Sequence, residues 1–173
     1  MSSTSGFIVR SMQPADVPAV FAVQALAYVP DMVEPASLIA ERLASAPECA
    51  WVAADDAGIG AYLMAYPSLR GKISALGAGF DIAGRPDALY LHDLAAAPRM
   101  AGQGAAAALV STAEDWASAQ GLHYACLVSV QNTLRFWQRR GFDTVTTLNG
   151  QQQAILATYS GPAYYCIKAL RTD

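Results

Sequence analysis

Charge is scarce in this chain. Of 173 residues only 14% are Asp, Glu, Lys or Arg, against about 25% in an ordinary globular protein. The 14 acidic residues outnumber the 11 basic ones, for a net charge of -3 at pH 7. No stripe of Lys and Arg is available to neutralise phosphates, which argues against nucleic acid as the main partner. Long apolar runs are also missing. Although 54% of residues are hydrophobic, charged, Gly or Pro residues interrupt every stretch short of the roughly 18–20 apolar residues that a membrane span requires, so a soluble protein with no membrane partner is expected. Cysteine is limited to Cys49, Cys126 and Cys166, with no CxxC pair and no neighbouring His cluster, a pattern that suggests neither a disulfide framework nor a metal site. Three small buried thiols in a reduced cytoplasmic setting are the natural expectation. The start, MSSTSGFIVR, has no basic stretch ahead of an apolar one and does not read as a secretory signal. Residues 1–6 are expected to be a flexible lead-in to a single domain over 7–173.

Internal repeats and low-complexity linkers are absent, and what remains is one alternation of elements. A short apolar run at 7–10 predicts a first strand. Val17, Val20, Phe21 and Tyr28 fall at helical spacing over 14–28, with Pro14 suited to a first helical turn. Leu38, Ile39 and Leu43 predict a second helix over 35–46. Strands at 50–54 and 59–65, separated by DDAG, read as a hairpin. The segment 67–87 holds four glycines and two prolines and keeps no period, and a loop of that length is usually functional or mobile. The run 88–97 is apolar on both faces, as a central strand would be. An Ala-rich helix over 102–120, a strand at 124–128, a helix at 132–140, a strand at 142–147 and a last strand at 164–169 follow. Strands pairing mostly antiparallel around a central strand, with helices interspersed, predict a mixed α/β sheet covered by helices.

The informative stretch is LYLHDLAAAPRMAGQGAAAALV, in which the central strand ends in a Pro-containing turn and feeds a helix through small residues. Gly102, Gly104 and Ala106 recur at every second position, so backbone N–H groups at the helix start can converge on an anion, for which a pyrophosphate is well suited. The same pattern also occurs where a helix simply packs tightly on a strand. Neither GxxxxGK[ST] nor a GxGxxG with a following acidic residue is present, so a nucleotide-triphosphatase or Rossmann assignment does not fit.

Taken with NTLRFWQRRGF (132–142), these residues resemble the GCN5-related N-acetyltransferase (GNAT) family. LAAAP (94–98) is similar to the family's strand end, AGQGAA (101–106) to its pyrophosphate loop, and 132–142 to its later helix and strand start. The resemblance implies a GNAT-like, mostly antiparallel sheet and acetyl-CoA as cosubstrate. It implies that backbone groups of Leu94, Ala95 and Ala96 pair with the pantetheine arm, one N–H there polarising the thioester carbonyl. Ala101, Gly102, Gln103, Gly104, Ala105 and Ala106 would hold the pyrophosphate, and Asn132 would contact the cofactor, although Asn at that place is equally a helix N-cap. Two positions depart from the family pattern. Ala101 stands where Arg or Gln is usual, with Arg99 nearby in a shifted register. Trp137 stands where many relatives carry a Tyr thought to protonate the leaving thiolate, and an indole cannot act as an acid near neutral pH; Trp137 would instead form a wall beside the thiol.

His92 lies in the central strand and resembles a histidine of some arylalkylamine acetyltransferases. An imidazole, with an ordinary pKa of about 6.5, suits proton removal from an amine; the alternative is a buried, hydrogen-bonded histidine. Tyr90 shares its face under strand alternation, whereas Asp93 points to the other, as a buried hydrogen-bonding anchor or an alternative base. Tyr159, Tyr164 and Tyr165 either pack or supply an acid. The expected activity is transfer of an acetyl group from acetyl-CoA to a primary amine of a small molecule or peptide, by direct attack in a ternary complex and with no metal. A catalytically silent acyl-CoA sensor of the same fold is the alternative, and a homodimer is compatible with either.

Overall fold

The computed structural model describes residues 6–171. Except for Gly6, the lead-in expected over 1–6 lies outside the described residues. The strands are β1 (Ile8–Ser11), β2 (Ala50–Asp55), β3 (Gly58–Ser68), β4 (Ala88–Ala96), β5 (Tyr124–Ser129), β6 (Asp143–Thr144) and β7 (Tyr164–Ala169). The helices are α1 (Val17–Ala27), α2 (Ala36–Ser45), α3 (Ala105–Ala119), α4 (Leu134–Gln138) and α5 (Gly150–Leu156). The strands form one seven-stranded sheet in the order β1-β2-β3-β4-β5-β7-β6. β4 and β5 run parallel, and the pairs β1–β2, β2–β3, β5–β7 and β6–β7 are antiparallel. The mixed, mostly antiparallel sheet with helices read from the sequence is the observed fold.

The chain divides into two compact units, one made of residues up to Met64 with Asp93–Ala113, the other of Ala65–His92 with the residues from Glu114 on. In the first, Val20 and Val23 of α1, Ile39 and Leu43 of α2, Val52, Leu63 and Leu109 are all buried, on the apolar faces that the helical and strand periods required. Gly60 on β3 is dictated by close approach: a Cβ there would lie 2.6 Å from Met100 Cγ, and its carbonyl accepts the Ala97 N–H at 2.7 Å. The turn after β4 is thereby seated on β3.

In the second unit, β5 pairs with β7 over its full length, Tyr124 opposite Ala169 through Ser129 opposite Tyr164. The long glycine-containing segment is fastened by its backbone. Gly71 N–H donates to the Tyr165 hydroxyl at 2.8 Å and Gly71 C=O accepts from Gln152 at 2.7 Å. Ser74 N–H donates to the Tyr90 hydroxyl at 3.3 Å, and Ser74 C=O accepts from the Tyr159 hydroxyl at 2.6 Å.

Several boundaries differ from the sequence reading. The helix expected over 132–140 is the shorter α4, because Gln131 and Asn132 both adopt the left-handed region, at φ 52° and 60°. Thr133, not Asn132, is its N-cap residue, so the capping role expected for Asn132 is overturned. The strand expected at 142–147 shrinks to the two residues of β6. The helix expected from 102 begins at Ala105, since Gly102 and Gly104 have φ of 74° and 83°. α5 was not anticipated; it starts at a capping box in which Asn149 accepts from Gln152 N–H and the Gln152 side chain accepts from Asn149 N–H.

Candidate active site

In the first unit, β4 leads through one 3-10 turn (Pro98–Met100) into the turn 101–104 and then α3. A side chain at the φ of Gly102 or Gly104 costs about 1–2 kcal/mol, and a Cβ at either meets nothing within 4 Å. Glycine is thus demanded by the backbone, and the space beside the turn stays open. Two amides of the turn are already engaged: Ala101 N–H donates to Pro98 O at 3.1 Å and Gln103 N–H to Met100 O at 3.2 Å. The Gln103 side chain donates to Arg99 O at 2.8 Å. Gly102, Gly104, Ala105 and Ala106 supply the amides that can converge on an anion, the last two in the first helical turn, where no intrahelical acceptor exists. Arg99 does not stand in for the side chain absent at Ala101. Its guanidinium pairs with Asp55 and donates to Gly58 O at 2.9 Å, which commits it to the β2–β3 turn.

The same unit holds a buried polar cluster around Asp93, which is 9% exposed. Tyr62 donates to Asp93 Oδ2 at 2.5 Å and Tyr28 approaches Oδ1 at 2.7 Å. Tyr28 Oη also lies 2.9 Å from the Leu94 carbonyl. Gln24 Nε2 lies 3.4 Å from the Tyr62 hydroxyl and 3.5 Å from Asp93 Oδ2, while its Oε1 accepts from Glu34 N–H at 2.5 Å. The Glu34 carboxylate is held by both terminal nitrogens of Arg42 at 2.6 and 2.7 Å, and Arg42 is 1% exposed. Burial, followed by the Asp93 charge, pushes the Tyr62 phenol well above its ordinary range, so Tyr62 remains a neutral donor.

In the second unit His92 is half-buried among rings. Phe80 meets it edge-on at 5.3 Å between centroids, and Tyr90 lies at 6.2 Å. Tyr66 stacks on Phe80 at 4.4 Å. Tyr90 is buried, its hydroxyl holds Ser74, and burial pushes its phenol well above the ordinary range. A phenol in that state stays neutral and is no base near neutral pH. Trp137 is 6% exposed and packs edge-to-face against Phe136 and Phe142 at 5.0 and 5.3 Å. Asn132 is exposed. The hydroxyls of Tyr159 and Tyr165 bond to the backbone of the long loop, and Tyr164 is exposed. Among the described residues no group of three or more His, Cys, Asp or Glu could hold a metal ion, and no helix is long and apolar enough to cross a membrane.

The model of the Acetyltransferase (GNAT) family matches residues 18–142, well over half of the chain. The chain belongs to the GNAT acetyltransferase family. No curated protein matches its sequence. Among solved structures, the GphF GNAT-like decarboxylase in complex with isobutyryl-CoA is similar, with a TM-score of 0.72 at 16% identity over 95% of this chain and 100% of that one. The ribosomal-protein-S18-alanine N-acetyltransferase from Escherichia coli gives 0.65 at 15% identity over 97% and 95%. The PaiA N-acetyltransferase from Thermoplasma acidophilum in complex with coenzyme A gives 0.68 at 13% identity over 95% and 99%. At these identities the likeness is one of fold.

Within this GNAT chain, the first unit brings together Asp93, Leu94, Ala95 and Ala96 of β4 with the whole turn 101–106. The second holds Tyr90 and His92 together, and also Asn132 and Trp137. Sequence reasoning missed the partners of Asp93, namely Gln24, Tyr28 and Tyr62, and the stacking of Phe80 beside His92. One available signal was Gln24, the single polar residue in the α1 segment VPAVFAVQALA.

Proposed function

We propose that the protein transfers an acetyl group from acetyl-CoA to a primary amine of a small molecule or peptide, in the cytoplasm and by direct attack in a ternary complex. The observation that carries this reading is the turn 101–104, whose two left-handed glycines and open surroundings lead from the end of β4 into a 15-residue helix. Amides of Gly102, Gly104, Ala105 and Ala106 would hold the pyrophosphate, and the β4 backbone at Leu94–Ala96 would pair with the pantetheine arm. Acetyl-CoA supplies the activated thioester. This chain's task is then to orient that carbonyl by a backbone N–H of β4 and to take a proton from the acceptor ammonium through a side chain of β4, His92 or Asp93. The amine nitrogen forms the C–N bond as the C–S bond breaks, and the thiolate takes a proton from water.

A second reading, a silent acyl-CoA-binding sensor, is favoured by Trp137 and by Ala101, whose amide is engaged and whose methyl cannot replace a basic side chain. A thiol-release assay with acetyl-CoA across alkylamines, amino acids and peptides decides between them. Turnover with any amine supports the transferase. Calorimetric binding of acetyl-CoA with no turnover supports the sensor, and preference for ATP or NAD over acetyl-CoA overturns both.

A further inference from the structure

We propose that Arg99 is a positioning residue for the cofactor: clamped by Asp55 and the Gly58 carbonyl, it holds the turn 101–104 in the shape that presents its amides to the pyrophosphate. The proposal rests on the placement of the pyrophosphate given above, and every residue it uses lies in the first unit.

The turn needs holding. Gly102 and Gly104 stand at φ 74° and 83°, and glycine loses more backbone freedom on ordering than any other residue. A Cβ at either would meet nothing within 4 Å, so no neighbour steadies the chain from that side. Amides bind an anion well only when their directions are set before it arrives. The residues beside and between the glycines must therefore set them.

Arg99 does so from both of its ends. Its guanidinium donates to Asp55 Oδ2 and, through Nη2, to Gly58 O at 2.9 Å, at the turn that joins β2 to β3. Asp55 is itself fixed by that turn: its Oδ1 accepts the Ala57 N–H at 2.9 Å, and its side chain is 12% exposed. At the other end, the Arg99 carbonyl accepts from Gln103 Nε2 at 2.8 Å, while Gln103 N–H donates to Met100 O at 3.2 Å. Gln103, between the two glycines, is thus tied by side chain and main chain to the 3-10 turn that Arg99 anchors. Gly60 makes the route possible. A Cβ there would lie 2.8 Å from Arg99 Nη2 and 2.6 Å from Met100 Cγ, so Arg99 passes β3 where the strand carries no side chain.

A basic side chain just before an anion-binding turn also suits the opposite role, direct contact with a phosphate. The two roles differ in the sign of one effect. If Asp55 holds Arg99 away from a phosphate it could otherwise reach, neutralising Asp55 frees a cation and removes a negative charge, and a polyanionic ligand binds more tightly. If Asp55 holds the turn through Arg99, the same change loosens the amides. The ligand then binds more weakly, although the local charge has become more favourable to it.

The test measures acetyl-CoA affinity by calorimetry, and thermal unfolding, for Asp55→Asn, Arg99→Met and the double variant. Asn keeps the size of Asp but offers one acceptor oxygen to two donors, and Met fills much of the space of Arg without its bonds. Each single variant should raise Kd by about three- to tenfold, the span to which one or two lost hydrogen bonds convert. The double variant should bind no more weakly than the weaker single, since both changes open one clamp. Tighter binding by Asp55→Asn, a Kd within about twofold of the wild type in either single variant, or losses that multiply in the double variant overturns the clamp. A pair that merely adds stability would lower Tm and leave the Kd of the folded protein unchanged, which also overturns it. The underlying placement fails separately. A wild type that binds no acetyl-CoA, or Gly104→Glu binding as well as Gly104→Ala, removes the pyrophosphate from the turn; weakened binding by Gly104→Glu with unchanged Kd in the Asp55 and Arg99 variants leaves it there and removes only the clamp.

Discussion

Gly104 permits two things at the turn before α3, a left-handed backbone and an open approach, and two substitutions separate them. At φ 83° any side chain carries about 1–2 kcal/mol of strain. A Cβ there meets no atom within 4 Å, so a longer side chain adds no clash. Gly104→Ala and Gly104→Glu should therefore lower stability equally, by about 2–8 °C in Tm for a chain of this size. In binding they should diverge. The Glu carboxylate enters the space assigned to the pyrophosphate, and two unit charges about 4 Å apart repel by roughly 4 kcal/mol at an effective dielectric near 20. A third of that, about 1.4 kcal/mol, is tenfold in affinity. Calorimetric titration with acetyl-CoA and thermal unfolding of the same preparations give both numbers. The expected result is matched Tm values with a Kd at least about tenfold weaker for Gly104→Glu than for Gly104→Ala. Kd values within about threefold would refute the pyrophosphate placement, and a much lower Tm for Gly104→Glu would refute the open space.

Arg42→Met leaves the buried Glu34 carboxylate without its two-nitrogen clamp and should cost about 3–5 kcal/mol in urea denaturation, while adding Glu34→Leu should recover most of it; a single-variant loss below about 1 kcal/mol would show the clamp to be idle. Burial pushes Cys49 up to about 12 and Cys126 up to about 11, and raises Cys166 as well. A raised pKa keeps the neutral thiol over the whole neutral range, and at pH 8 only about one Cys126 thiol in a thousand would be thiolate. All three thiols should resist iodoacetamide at pH 8 in the native protein and react in urea; fast native labelling at any of them would contradict the packing.

Most of the sheet was legible because its elements carry their own signals. β2 and β3 meet within DDAG, β4 is mostly apolar, and the segment at β7 has the observed bounds. Elements without an apolar period were not. α5, GQQQAIL, buries none of its residues, and only its capping box marks it. The start of α4 was misplaced because two consecutive non-glycine residues, Gln131 and Asn132, take a conformation that propensity reserves for glycine and, less often, asparagine. At the site, the turn 101–106 was legible through its small residues, since glycine in such a turn reports backbone geometry directly. Which amides are available was not, because the bonds of Ala101 and Gln103 to Pro98 and Met100 depend on how the 3-10 turn closes.

The Asp93 cluster escaped for a different reason, and that reason bears on its role. Its members come from α1, the segment before α2, α2 itself, β3 and β4, and Gln24 stands 69 residues from Asp93, so no local pattern links them. In a chain with so few charges, placing Glu34, Arg42 and Asp93 inside is not the cheapest way to fill a core. Apolar residues of the same volume often do as well or better than a buried ion pair, and a polar network tolerates no missing member. Such a network constrains geometry more than it adds stability. The geometry it constrains here is narrow: the orientation of Gln24, one oxygen of Asp93 held by Tyr62 and the other by Tyr28, and Tyr28 held against the Leu94 carbonyl. The constraint reaches the β4 backbone through the Tyr28 hydroxyl at Leu94 O, shortly before the turn whose glycines open onto α3.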